Sequence, residues 1–126
     1  MRIFRSDPSI EKGWLTGAWE CGGAKAIPGL PFPVNIGFAN RGIDEPHLHT
    51  RITEIYLVGR GSALVRIEQQ TVTLSAGDLL VIEPGEAHTF LSSSPDYFHF
   101  VLHIPGLFGE EAHFEKVLIT RDRLGL

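Results

Sequence analysis

GIDEPHLHTRITEIYLVGRG, residues 42–61, is the stretch on which the reading of this chain turns. His47 and His49 stand two apart, so on an extended strand both imidazoles leave the same face. Glu54 follows on the next extended run, which a turn can fold back alongside. A second stretch, GDLLVIEPGEAHTF at 77–90, answers the first: Pro84-Gly85-Glu86-Ala87 is a tight-turn sequence, and His88 begins the strand behind it. Three neutral imidazoles and a carboxylate converging from neighbouring strands make a ligand set for a divalent first-row metal (Mn, Fe, Ni, Co or Zn). Such a set leaves positions for water or substrate. The candidate ligands are therefore His47, His49, Glu54 and His88, and Glu54 is also the candidate catalytic base.

Working outward, the chain reads as short strands separated by Gly, Pro and Ser. Residues 2–4 fit a short edge strand, and 13–21 an extended run interrupted by glycine, with Trp14 and Trp19 read as core. Residues 22–33, with the run PGLPFP, suit neither a helix nor a central strand and are expected to be loop. The alternation in VNIGFANR, 34–41, marks a strand, and that in 54–58 puts Glu54, Tyr56 and Val58 on one interior face. A hairpin is expected around Glu68-Gln69, and the continuous apolar run DLLVI, 78–82, predicts a strand covered on both faces. Residues 105–111, and His113 beyond them, read as loop surface, and 116–120 as a last strand. No stretch of ten residues carries a helical apolar period, so the pattern predicts an all-β barrel or sandwich of about nine or ten strands.

The run YFHFVLHI, 97–104, offers two faces. Phe98, Phe100 and Leu102 have the stronger claim to the core, which turns His99 and His103 toward solvent or an interface; the alternative places both in the pocket as acid–base or supporting groups. They are kept as candidate pocket residues together with Tyr56 and Arg51, whereas Glu45 and Arg66 read as an ordinary solvated rim.

A chain of 126 residues with 43% hydrophobic and 21% charged residues fits one globular domain, 1–126. No apolar run approaches the ~20 residues of a transmembrane helix, so no membrane partner is expected. The charged N-terminus lacks a secretory core, and a cytoplasmic location is the expectation. The single Cys21 has no partner for an internal disulfide and reads as a small buried hydrophobe. With net charge −4 and eleven scattered Lys and Arg, the surface is the opposite of what a nucleic-acid backbone needs.

The two stretches resemble the paired motifs of the cupin superfamily. The first matches at His47, His49, Glu54 and Gly61, with Gly42 one residue nearer the histidines than usual. The second matches at Gly77, Gly85 and His88, with Glu83 where a proline is usual and Ser92 in place of asparagine. The resemblance implies a double-stranded β-helix, or jelly-roll barrel, with a metal at those four ligands. It further implies a homodimer and activity on a small organic substrate, of the oxygenase or isomerase type. A non-catalytic module binding a small molecule or metal, as in sensor domains, is the competing reading. An attached helix-turn-helix is absent from the pattern.

Overall fold

A computed structural model describes residues 1–16, 33–107 and 109–126. Trp19, Cys21 and residues 22–32 of the expected loop lie outside them. Among the described residues, ten strands form two antiparallel five-stranded sheets. The strands are β1 Lys12–Thr16, β2 Asn35–Ala39, β3 His47–His49, β4 Thr53–Arg60, β5 Ser62–Ile67, β6 Gln70–Ser75, β7 Leu79–Ile82, β8 His88–Ser93, β9 Phe98–Ile104 and β10 Lys116–Leu118. One sheet runs β1-β2-β9-β4-β7, the other β10-β3-β8-β5-β6. This is the expected all-β jelly roll, and its interior is shared: Tyr56, Val58, Ile82 and Val101 of the first sheet pack with Ala63, Val65, Leu74 and Phe90 of the second.

The register shows how the interior is graded. β4 and β9 pair with Glu54 opposite His103, Tyr56 opposite Val101 and Val58 opposite His99. Directly opposed residues share a face, so each step along this ladder moves from a polar end at Glu54 toward the apolar cluster. The hairpin between β5 and β6 turns at Glu68-Gln69, with Glu68 at a φ of 48°.

Four expectations are corrected. Residues 2–4 form no strand. Residues 109–115 form a short helix, α1 Gly109–Glu115, whose Glu110 and Glu111 suit the positive end of the helix dipole. Its Ala112 packs with Ile52 and Leu107, and seven residues are too few for a 3.6-residue period to register. The outward side chains of β7 are not covered: Leu79 and Val81 are exposed. Finally, β4 does not fold back beside β3. The chain crosses to the other sheet at residues 50–52, so Glu54 faces the histidines across the barrel rather than along one sheet.

Candidate metal centre

The HxH spacing does what period two dictates: His47 and His49 are both buried, and Leu48 between them points away. β3 pairs with β8 so that His47 lies directly opposite His88. His88 is delivered there by the turn at 83–86, with Pro84 second and Gly85 third at a φ of 86°, the pattern of a type II turn. Gly85 N–H donates to the His49 carbonyl at 2.7 Å, pinning the turn against β3. Three imidazoles thus project from one sheet, and Glu54, Tyr56 and His103 from the other.

All three imidazole Nε2 atoms converge on Oε1 of Glu54, at 3.8 Å from His47, 3.2 Å from His49 and 2.9 Å from His88. The opposite ring nitrogens explain this orientation. Nδ1 of His47 lies 2.7 Å from the Glu45 carbonyl, that of His88 3.0 Å from the Glu86 carbonyl, and that of His49 2.6 Å from Oε2 of Glu115. Carbonyls and carboxylates only accept, so each Nδ1 carries the hydrogen and each neutral ring turns a lone pair inward. The other carboxylate oxygen of Glu54 accepts from Tyr56 Oη at 2.8 Å and lies 2.9 Å from His103 Nε2, leaving Oε1 for the centre.

Lone pairs facing a carboxylate oxygen repel unless a cation lies among them. Oε1 of Glu54 and Nε2 of His88 are buried with no hydrogen-bond partner although they are 2.9 Å apart. Ligand atoms of His47, His49 and Glu54 all lie within 4.8 Å of one another. The donor set, three imidazole nitrogens and one carboxylate oxygen, fits a divalent transition ion.

The electrostatics show how strongly these groups interact without an ion. Burial opposes a charge on Glu54, but the imidazoles of His103, His47, His49 and His88 outweigh it and hold the carboxyl well below its ordinary range. Burial likewise opposes protonation of His49 and His88, but Glu54 overrides it and raises both, with Glu115 adding to His49. The Tyr56 phenol is pushed well up, by burial first and then by Glu54, so it keeps its proton.

Beside the centre lies a cavity of about 90 Å³, walled by Trp14, Tyr56, Phe90, His99, Val101 and His103. Trp14, expected in the core, stands instead on this wall, its ring 4.9 Å from that of His103. Gly37 makes room, since a Cβ there would come within 3.1 Å of the indole.

His99 and His103 correct the reading of 97–104: both are buried and face inward, whereas Phe98, Phe100 and Leu102 are only half-buried on the outer surface. Nδ1 of His99 lies 2.6 Å from the Tyr97 hydroxyl, and burial pushes the His99 pKa down to about 4. Arg51 is also corrected. It is exposed, lies 3.4 Å from Glu111 and does not line the cavity. Arg66 bonds the Glu68 and Leu124 carbonyls, a structural role. Glu115, which sequence reasoning missed, sits 66 residues from His49 with no local signal to mark it.

A cupin domain family model matches residues 36–104. A comparison with curated proteins finds no match. Among solved structures, the chain is similar to the nucleoside dehydratase Pac13 of Streptomyces (13% identity, 96% of this chain and 97% of that one, TM-score 0.60). It is also similar to KdgF from Halomonas sp. (21% identity, 84% and 90%, TM-score 0.59). A third is an uncharacterized conserved protein with a double-stranded β-helix domain from Klebsiella pneumoniae (24% identity, 69% and 73%, TM-score 0.54). At these identities the likeness is one of fold.

Proposed function

This chain belongs to the cupin family, and from that premise we propose that it is a divalent-metal-dependent enzyme acting on a small organic substrate, of the oxygenase or isomerase type. The observation that carries the reading is the geometry of the donors: three Nε2 atoms from one sheet meet one Glu54 oxygen from the other, beside a cavity rather than in closed packing. A purely structural site closes its coordination, whereas this one leaves a side toward the cavity. The ion would be held by His47, His49, His88 and Glu54, and when bound it supplies Lewis-acid polarisation and a template for substrate.

The protein's own groups divide the remaining work. Tyr56 keeps its proton and donates a hydrogen bond to Oε2 of Glu54, fixing that carboxylate in one orientation. Tyr97 Oη lies 2.6 Å from Nδ1 of His99, whose ring burial keeps neutral; with the hydroxyl donating to Nδ1, the ring carries its own hydrogen on Nε2. His99 is thus an uncharged donor on the cavity wall. Trp14, Phe90 and Val101 give the same cavity apolar walls that exclude water. Pac13, a nucleoside dehydratase seen with uridine, is a precedent for a small organic ligand in a barrel of this fold.

The test is elemental analysis after reconstitution with Mn, Fe, Ni, Co and Zn in turn, followed by a substrate screen. Oxygen uptake is one readout, and isomerisation of sugars or keto acids the other. Near-stoichiometric metal and turnover that both vanish in His49→Ala and His88→Ala are expected. No bound ion under any of these conditions would remove the metal from the account. Full metal without turnover, and a metal-dependent thermal shift with a small molecule, would replace the enzyme by a binding module.

A further inference from the structure

We propose that the mouth of the cavity is an anion-recognition site, at which Lys12 and Lys116 hold the carboxylate or phosphate of a small organic anion. The inference rests on the enzyme reading above and adds to it the charge of the substrate.

The register directs both lysines inward. Lys116 pairs directly with His49 on the ladder of β10 with β3, and directly opposed residues leave the same face. His49 points into the barrel, so Lys116 does too. On the other sheet Lys12 pairs with Ala39, and Ala39 with His99, which also points inward. Both lysines line the cavity. β1 and β10 are edge strands of different sheets, so the two lysines reach the cavity from different sheets.

The acids nearby are already committed. Asp44 accepts from Thr89 Oγ1 and from Phe90 N–H, each at 2.8 Å. Glu11 pairs with Arg41, the third cation of the lining, at 2.8 Å. Among the described residues, neither Lys12 nor Lys116 is paired with a carboxylate. The lining carries Lys12, Arg41 and Lys116 against Asp44 and Glu54, whereas the chain as a whole is at −4, so the cavity favours anions more than the rest of the surface does. The same cavity is lined by Trp14, Tyr56, Phe90 and Val101 and reaches His47, His49 and Glu54. Such a passage suits a ligand with one anionic end, a thin apolar middle and an oxygen at the far end. Charged residues turned inward on edge strands also guard sheets against pairing with other chains, but that role makes no anion bind.

The experiment is calorimetric titration of metal-loaded protein with 4-hydroxybutyrate and with glycerol 3-phosphate, each against its neutral counterpart, 4-hydroxybutyramide and glycerol. Lys12→Met, Lys116→Met and the double variant keep the aliphatic stems and remove the charges. Expected are binding of at least one anion but not of its neutral counterpart, weakening with added salt, and a loss of about tenfold in the double variant. Metal content and melting temperature should not change. The preferred anion tells carboxylate from phosphate recognition. Equal binding to wild type and double variant, binding of the neutral compounds as tight as of the anions, or no binding of either anion to the wild type overturns the inference. Repeating the titration on metal-free protein by NMR separates the two claims. Absent metal with intact lysine-dependent anion binding sinks only the enzyme reading. Full metal with charge-indifferent binding sinks only this one.

Discussion

Oε2 of Glu115 lies 2.6 Å from Nδ1 of His49, so the residue that ends α1 decides which nitrogen of His49 faces Glu54 and the candidate metal centre. Oε1 of the same carboxylate accepts from the N–H groups of Arg51 and Ile52 at 3.1 and 3.0 Å, at the corner where the chain passes between sheets. Glu115→Gln separates the two jobs. Its amide oxygen can still accept from the corner, but its NH₂ then faces Nδ1 and moves the ring hydrogen to Nε2. Metal affinity is expected to fall about 10- to 100-fold, with the circular dichroism melt little changed. Competition with a chromophoric chelator measures it; unchanged affinity would leave Glu115 a structural staple only.

Tyr56→Phe removes the 2.8 Å hydrogen bond to Glu54 Oε2 inside the barrel. The buried oxygen loses one of its donors, and a stability cost of about 1 kcal/mol is expected, with weaker metal binding because Glu54 is less firmly oriented. Urea unfolding and metal titration of the same variant check both parts.

His99 sets a pH limit on stability. Its folded pKa is pushed down to about 4 by burial, against about 6.5 in the unfolded chain. The folded state therefore prefers the neutral ring. Its stability contribution is fully present above about pH 6.5 and is lost as pH falls toward 4, by about 3 kcal/mol in all. Urea midpoints of metal-free protein between pH 7 and 4 should decline with a slope that His99→Leu reduces. A slope identical in the two proteins rules out His99 as its source.

Gly61 ends β4 at a φ of 69°, and a Cβ there would lie 2.9 Å from Cα of Tyr97. Gly61→Ala combines a strained backbone with a clash against main chain, which gives no room to relax. A loss of at least about 1–2 kcal/mol is expected in chemical denaturation, whereas Gly77→Ala, with a similar φ but open space around it, should cost less.

The outer face of β4, β7 and β9 exposes Leu57, Leu79, Val81 and Ile104. Apolar side chains this close together on one sheet call for a cover, and a homodimer is the expected one. Light scattering at micromolar concentration should give twice the 13.9 kDa chain mass. The chain mass alone would leave that face open in solution.

What was legible in the sequence is what local spacing encodes. Two histidines at period two share a face, Pro84-Gly85 forms a turn, and His88 follows it onto the next strand. Those relations survive whatever the strands later pair with, and they carried all four candidate ligands, while the run of short strands carried the all-β class and the cupin resemblance the jelly roll. Alternation likewise separated the two faces of 97–104, but it contains no mark of which face is inside. That was decided by the sheet order, which places β9 between β2 and β4 and sets His103 opposite Glu54. The same long-range pairing took Glu54 to the far wall of the barrel, turned Lys12 and Lys116 inward, and brought Glu115 to His49 across 66 residues. Periodicity tells which side chains travel together; only the closure of two sheets on one interior tells which of them meet.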